Sequence, residues 1–270
     1  VTTVLHTPVS MAYPAETGRE TADAAVAFDQ VGLTYAGAGD ESLSGITFAA
    51  RPGETVGVIG GTGSGKTSLV HLIPRFYDAT AGHVTLLGRP IDQWSREDLH
   101  RAVAIVLQKA QLFSGTIRSN LLWGNADADD ATLWAALEAA QAAEFVRQKP
   151  LGLDEPVEQG GRNFSGGQRQ RLTIARALVG QPQVLILDDS ASALDFATDA
   201  ALRKSLRALP WKPTVFIVSQ RTSSLRHADQ ILVLDDGRLV GHGTHQGLLE
   251  TCPVYREIYE SQFEKGGAAQ

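Results

Sequence analysis

Glycines, a lysine and a hydroxyl side chain lie close together between an apolar run at 55–59 and a helix-like stretch at 68–73. The segment consists of Gly60, Gly61, Thr62, Gly63, Ser64, Gly65, Lys66 and Thr67. A glycine turn between a strand and a helix points successive backbone N–H groups at an anion, and the free amides of the new helix add to them. In this pattern the lysine reaches β- and γ-phosphate oxygens, and the hydroxyl binds Mg²⁺. The alternative is a glycine turn that only joins a strand to a helix.

Polar side chains at the ends of other predicted elements are further candidates for binding or catalysis. Asp188 ends the apolar run 184–188, where an uncompensated buried carboxylate would be costly and a metal ion would compensate it. Ser165 and the glycines after it open a helix-like stretch, although such a turn alone is more often structural. Tyr35 ends one strand-like run, and Gln108 lies at the end of another. For Tyr35, residue type alone fits a core aromatic as well as a functional one, and for Gln108 it fits a solvated strand end as well as a functional side chain.

Composition limits the classes of protein to which this chain can belong. It has 270 residues, 43% of them hydrophobic and 20% charged, which suits one large or two small globular domains. The net charge of -6 argues against a nucleic-acid-binding surface. One cysteine excludes an intrachain disulfide framework and suits a reducing compartment. No apolar stretch approaches the length of a membrane span, and the N-terminus has no signal-peptide core, so we expect any membrane role to come from another segment or chain.

The pattern of apolar residues divides the chain into segments of different character. Residues 1–23 lack periodicity and predict a linker or N-terminal arm, whose first residue, Val rather than Met, suggests a longer parent chain. From 24 to 265 we predict one α/β domain, in which antiparallel strands lead into the glycine loop and the runs 184–188 and 214–218 are buried parallel strands. An Ala-rich helical subdomain is predicted at about 109–180, and residues 266–270 form a tail.

Together these segments resemble the nucleotide-binding domain of an ATP-binding cassette (ABC) transporter, over residues 26–262. The match to the family signature, commonly Leu-Ser-Gly-Gly-Gln, is Phe164 to Gln168. The resemblance implies a P-loop NTPase (RecA-like) core with an antiparallel β subdomain and an inserted α-helical signature subdomain. It also implies that ATP and Mg²⁺ are the cofactors. By the same resemblance, residues 192–195 form the loop that communicates across a dimer.

The family pattern assigns a role to each candidate residue. Tyr35 stacks on adenine, the loop from Gly60 through Ser68 binds phosphates, and Gln108 senses Mg²⁺ and the γ-phosphate. Thr67, Gln108 and Asp188 are the metal ligands. The signature residues that hold nucleotide across a dimer are Ser165, Gly166, Gly167 and Gln168.

Two positions depart from the family pattern. Asp189 stands where a glutamate usually activates the attacking water, and Gln220 stands where a histidine usually contacts the γ-phosphate. Aspartate is one methylene shorter, which withdraws the carboxylate by about 1.5 Å. Glutamine has no titratable proton. With Gln108, these are the catalytic candidates, and together they predict a site that binds ATP but hydrolyses it slowly.

Three other segments resemble the exporter branch of the family: 113–121, 158–161 and 255–262. The resemblance implies a head-to-tail dimer with a partner nucleotide-binding domain, and transmembrane domains on the same or a partner chain. It places the chain at the cytoplasmic face of the cell membrane. We therefore expect an ATPase subunit of a heterodimeric exporter, carrying the degenerate site, with low intrinsic activity. The alternatives are a homodimeric exporter ATPase that uses Asp189 as its base, and a soluble ABC ATPase outside transport.

Overall fold

The computed structural model describes residues 11–14, 23–190 and 192–267. The strands are β1 Val26–Leu33, β2 Leu43–Ala50, β3 Thr55–Gly60, β4 Ala81–Leu86, β5 Arg89–Pro90, β6 Val103–Val106, β7 Gly115–Thr116, β8 Pro156–Val157, β9 Val184–Asp188, β10 Thr214–Val218, β11 Gln230–Asp235 and β12 Arg238–Gly243. The helices are α1 Lys66–His71, α2 Arg96–Ala102, α3 Ile117–Leu121, α4 Asp130–Ala139, α5 Ala143–Arg147, α6 Gly166–Val179, α7 Phe196–Arg207, α8 Thr222–Leu225, α9 His245–Thr251 and α10 Pro253–Gly267.

The central sheet has the order β12-β11-β3-β10-β9-β6, and all its neighbouring pairs except β11 with β12 are parallel. Every residue of β3, β9 and β10 is buried, as expected for strands covered on both faces. In the register of this sheet, Val218 lies opposite both Val58 and Asp188. The carboxyl ends of three neighbouring strands therefore meet at one edge, where ligands of α/β sheets bind.

An antiparallel sheet of order β2-β1-β4-β5 packs beside the central sheet. Phe28 of β1 stacks on Phe48 of β2 with ring centroids 4.7 Å apart, and Phe48 meets Phe216 of β10 edge to face. These contacts join the two sheets in one hydrophobic core. The predicted strand ending at Tyr35 in fact ends at Leu33, because Thr34 N–H leaves the ladder and donates to Thr80 Oγ1.

Helices α3 to α6 lie between β6 and β9 and share a second hydrophobic core. Helix α6 packs against α3 and α4, and a Cβ built on Gly124 would lie 2.0 Å from the backbone O of Arg176. Only glycine therefore allows this close approach. These helices fall within the predicted range 109–180, whose limits as a subdomain stay a prediction.

The ends of the chain are described in part. Of the predicted arm, 1–23, only 11–14 and 23 are among the described residues; the rest lies outside them, as do residues 268–270 of the predicted tail. The Arg75 guanidinium lies over the Tyr13 ring, with its Cζ 4.5 Å from the ring centroid. Arg75 Nη1 also donates to the carbonyl of Ala12 at 2.9 Å. Among the helices of the described residues, none is both long and apolar enough to cross a bilayer.

Candidate nucleotide-binding site

The glycine loop between β3 and α1 can be built only with glycine at two of its positions. Gly65 caps α1 in the left-handed region, with φ +94°, and a Cβ there would lie 2.8 Å from both Leu43 Cδ2 and the Ser42 carbonyl. A Cβ on Gly60 would lie 2.1 Å from the Leu234 carbonyl. The loop therefore packs closely against β2 and β11 and leads directly into the N-terminus of α1, where backbone amides favour an anion.

Lys66, the first residue of α1, is buried within this loop. Its Nζ donates to the carbonyls of Gly60 at 3.0 Å and Gly61 at 2.5 Å, and lies 3.3 Å from Ser64 Oγ. Burial lowers the pKa of Lys66, an effect opposed by the negative charges of Asp189 and then Asp188. The loop therefore holds a cation beside two carboxylates.

Asp188 and Thr67 bring oxygen ligands together at the sheet edge. Thr67 Oγ1 donates to Asp188 Oδ1 at 3.3 Å, and the Asp188 carboxylate, at the end of β9, is only 5% exposed. A hydroxyl and a carboxylate are the ligands that Mg²⁺ prefers, so these residues fit the metal that the pattern implies.

His71 was assigned no role from the sequence, yet it faces this pair. Its Nε2 lies 3.6 Å from Asp188 Oδ2 and has no hydrogen-bond partner within the described part of the chain. Phe76 packs against the imidazole edge to face, with centroids 5.1 Å apart. The signal in the sequence was its place on the first helix after the glycine loop, one turn beyond Thr67.

Gln108 and Asp189 are joined by a hydrogen bond, from Gln108 Nε2 to Asp189 Oδ2 at 3.0 Å. Asp189 has φ 47°, and its N–H donates to the Val218 carbonyl at 3.1 Å, so the turn after β9 is tied to β10. Burial, and then the charge of Asp188, raise the pKa of Asp189. The Gln108 hydrogen bond and the charges of Arg221 and Lys66 act in the opposite direction and lower it.

Gln220 follows β10 at the same edge and is exposed. Its backbone carbonyl accepts a hydrogen bond from Gln262 Nε2 at 2.7 Å. The loop that carries it is therefore anchored to α10.

Tyr35 and Ser68 contact each other at the outer side of α1. Tyr35 Oη donates to Ser68 Oγ at 2.9 Å, and the tyrosine ring meets Tyr77 edge to face at 4.8 Å. A cavity of about 480 Å³ opens beside them, between residues 38–42, the glycine loop and the turn at 236–237. Its volume is within the range of small-molecule sites.

The signature residues form the exposed N-terminus of α6. Ser165 Oγ accepts from Gln168 N at 3.2 Å, and Gln168 Oε1 accepts from Ser165 N at 3.0 Å, which is a capping box. Gly166 and Gly167 form the first turn, and a Cβ on Gly167 would lie 3.2 Å from the Ala193 carbonyl. Ser165 and Gly166 are exposed, so an anion in solution can reach the N-terminus of this 14-residue helix.

Comparison with known proteins adds an independent line of evidence. Residues 43–192 match the sequence profile of the family described as ABC transporter. An ABC transporter ATP-binding protein of Mycobacterium tuberculosis is 43% identical over 267 residues, which cover 97% of this chain and 46% of that protein. An ATP-dependent lipid A-core flippase of Xanthomonas campestris is 40% identical over 241 residues, covering 89% of this chain and 41% of the flippase.

Among solved structures, a bacterial Atm1-family ABC exporter with ATP bound superposes with a TM-score of 0.90 at 34% identity. The match covers 97% of this chain and 46% of the exporter chain. It confirms the predicted fold class, an α/β P-loop NTPase core of the ABC type. The chain spans about half the length of the curated relatives it matches.

Proposed function

This chain belongs to the ABC transporter family, whose ATP-binding domains are ATPases, and on that premise we propose that it drives an exporter from the cytoplasmic face of a membrane. The observation that carries the proposal is the meeting of Lys66 and two hydrogen-bonded pairs at one sheet edge. Lys66 lies in its loop, Thr67 contacts Asp188, and Gln108 contacts Asp189. Export is supported by the flippase and exporter relatives.

The nucleotide site uses the predicted residues in separate roles. The loop from Gly60 to Ser68 binds the phosphates, with Lys66 exchanging its carbonyl partners for β- and γ-phosphate oxygens. Tyr35 supports the adenine. Thr67, Gln108 and Asp188 hold Mg²⁺, which neutralises phosphate charge when bound.

Catalysis at this site is proposed to be slow because two groups differ from the family pattern. Asp189 carries its carboxylate on a shorter side chain, and the carboxylate is held by Gln108. Gln220 offers no titratable proton to the γ-phosphate. Loss of a positioned base reduces the rate by about 10²- to 10⁴-fold while binding contacts persist.

The signature is proposed to serve a partner nucleotide-binding domain, bound head to tail. Ser165, Gly166, Gly167 and Gln168 match the family signature except that Phe164 precedes them. Their position at an exposed helix N-terminus suits the γ-phosphate of a nucleotide held by the partner. The chain is then the degenerate-site subunit of a heterodimer.

A groove beside the helical subdomain supports contact with a transmembrane part. The cavity, of about 1070 Å³, lies between β6, residues 107–113, residues 123–125 and α6. Phe113 and Trp123 stack at 4.5 Å on its wall and are 43% and 69% exposed. We call this surface the aromatic groove. Exposed aromatic side chains of this kind mark protein interfaces.

Single-turnover hydrolysis in the assembled heterodimer tests the proposal, with the catalytic glutamate of the partner removed. Slow hydrolysis with retained ATP is expected at the site of Asp189. Asp189→Glu alone should restore little of the hydrolysis rate. Asp189→Glu with Gln220→His should restore more of it, because the altered groups act together. Fast hydrolysis before either change would mean that Asp189 is a working base, and would favour a homodimeric exporter.

A further inference from the structure

One side chain of the last helix, Gln262, contacts the loop that follows β10. Its Oε1 accepts hydrogen bonds from the backbone N–H and the Oγ1 of Thr222, both at 3.0 Å. Its Nε2 donates to the backbone carbonyl of Gln220 at 2.7 Å. Because a backbone N–H donates and a carbonyl accepts, these partners determine which atom of the amide is oxygen.

These hydrogen bonds supply a cap that the loop does not provide for itself. Helix α8 begins at Thr222, and its N-cap residue, Arg221, makes no side-chain capping hydrogen bond. Thr222 is 1% exposed, so its N–H, one of the unpaired donors of a helix start, depends on Gln262 rather than on bulk water. At the other end of the loop, Ser219 N–H donates to the Val58 carbonyl at 3.1 Å.

The loop held in this way lies at the edge of the central sheet where the carboxyl ends of β3, β9 and β10 meet. Val218 is in register with both Val58 and Asp188, and Gln220 follows two residues later. Arg221 lies between the two residues that Gln262 contacts, and its guanidinium lies 5.4 Å from the centroid of the Phe196 ring. Its positive charge also acts on the carboxylate of Asp189 and lowers its pKa.

We infer that Gln262 is a positioning residue that holds Gln220 and Arg221 beside the nucleotide phosphates and so couples the last helix to the site. The inference rests on the proposed function, in which Gln220 faces the γ-phosphate. By linkage, a γ-phosphate that binds better to the ordered loop also strengthens the contact between the loop and α10.

Helix α10 has an anchor that does not involve Gln262. Tyr255 is fully buried, and its Oη forms a 2.7 Å hydrogen bond with His245 Nδ1. Removal of the Gln262 amide therefore leaves the helix attached. Ser261 gives a matched control, because it is exposed and its Oγ donates to Ile258 of the same helix.

Calorimetric titration of the chain with MgATP and with MgADP provides the first test. Gln262→Ala should weaken MgATP binding by about three- to tenfold, the effect of one or two hydrogen bonds, and leave MgADP binding unchanged because ADP lacks the γ-phosphate. Ser261→Ala should bind both nucleotides as wild type does. Equal affinity changes for the two nucleotides, or none, would overturn the inference. A wild-type chain that binds neither nucleotide would instead overturn the proposed function, and the inference with it.

The variant Gln262→Glu distinguishes a role of Gln262 in positioning the loop from a role in folding alone. The carboxylate keeps both acceptor contacts to Thr222 but presents an oxygen without a proton to the Gln220 carbonyl. Its protonated form restores the donor, so the preference of this variant for MgATP over MgADP should return towards the wild-type value as the pH falls to about 4, below the ordinary glutamate pKa of about 4.3. A preference that stays constant relative to wild type over that range would overturn the inference, since a structural role alone predicts no such recovery.

Discussion

The carboxylate of Asp189 lies between groups with opposite effects on its pKa. Burial and Asp188 raise the pKa, while the Gln108 hydrogen bond and the charges of Arg221 and Lys66 lower it. The net direction is upward, so this carboxylate ionises at a higher pH than an ordinary aspartate. If Asp189 is the base at its own site, the ionised form is the active one.

The first prediction concerns the pH dependence of that activity. The rate should fall on the acid side as Asp189 is protonated, and Arg221→Gln should move this fall to higher pH, because it removes a charge that lowers the Asp189 pKa. The measurement is single-turnover hydrolysis across the acidic range, with the partner glutamate removed. Arg221→Lys keeps the charge and should move the fall much less. A profile that Arg221→Gln leaves unchanged would show that another group controls the acid side.

Sequence reasoning from local pattern alone predicts the residues of this candidate site that lie within one contiguous stretch. The glycine loop, Lys66 and Thr67 were predicted because a strand, a turn and a helix are read from neighbours. Gln262 was missed because its partner Gln220 is 42 positions away and glutamine on a helix surface carries no pattern of its own. His71 was missed for a related reason: its contact with Asp188 depends on how α1 packs beside β9.

At the scale of elements, the N-terminus of α6 combines two functions in one serine. Ser165 caps its own helix through Gln168, and in the proposed dimer it also contacts the phosphate bound by the partner. If the proposal is right, a change at this position affects helix stability and hydrolysis together. A charged side chain that still caps the helix separates the two effects, because it preserves helix stability while its charge disturbs phosphate binding.

The second prediction is that Ser165→Ala and Ser165→Asp differ in stability but agree in function. Ser165→Ala should lower the free energy of unfolding of the chain by about 1 kcal/mol, because the N-cap is lost. Ser165→Asp should retain the cap and the stability. Both should reduce hydrolysis in the assembled pair, the aspartate more strongly because its charge repels the γ-phosphate.

Denaturant unfolding and steady-state ATPase assays measure these two effects. Thr244 provides the control, since it caps α9 through Gly247 N at 3.3 Å. Thr244→Asp places a carboxylate at another helix N-terminus and should leave hydrolysis unchanged. Wild-type hydrolysis by a pair carrying Ser165→Asp would refute the proposed place of the signature.

The type of an element was predictable from sequence where its pattern of apolar residues was long. The first and last residues of an element were not predictable in the same way. The buried strands 184–188 and 214–218 coincide with β9 and β10, because continuous apolar runs are typical of covered parallel strands. Helix α6 begins at Gly166 itself, because the capping box at Ser165 compensates for two glycines with poor helix propensity. The pairing of strands across the sheet depends on contacts between distant segments, which no local pattern contains.

At the scale of the whole molecule, the site and the aromatic groove are joined by one short segment. Strand β6 lines the groove and ends at Val106, and Gln108 follows within the site. A transmembrane part bound in the groove would therefore contact the same segment that holds Asp189. Such contact would be connected with the catalytic candidates through a few residues.

The third prediction is that Trp123→Ala separates nucleotide binding from transport. The side chain is 69% exposed, so the fold and the MgATP affinity of the chain should change little. In the full transporter, loss of an aromatic anchor worth about 2 kcal/mol would weaken docking by about 30-fold and should reduce transport coupled to hydrolysis. Transport assays in membranes and calorimetry on the chain measure the two effects.

Leu151→Ala is the matched control for this prediction. Leu151 is 60% exposed and lies outside the lining of the aromatic groove. Its loss should affect neither measurement. Undiminished transport by Trp123→Ala would remove the aromatic groove from the proposed interface.

The positive φ of Asp189, 47°, limits how this site can change over generations. A short polar side chain tolerates that backbone better than a longer one, because it can bond to the backbone nearby. Glutamate at this position would bear strain of about 1 kcal/mol, out of a total folding stability of about 5–15 kcal/mol. If glutamate raises turnover only together with a change at Gln220, as proposed above, this exchange would cost stability before any gain in rate appears. The backbone conformation at this position would therefore favour retention of aspartate.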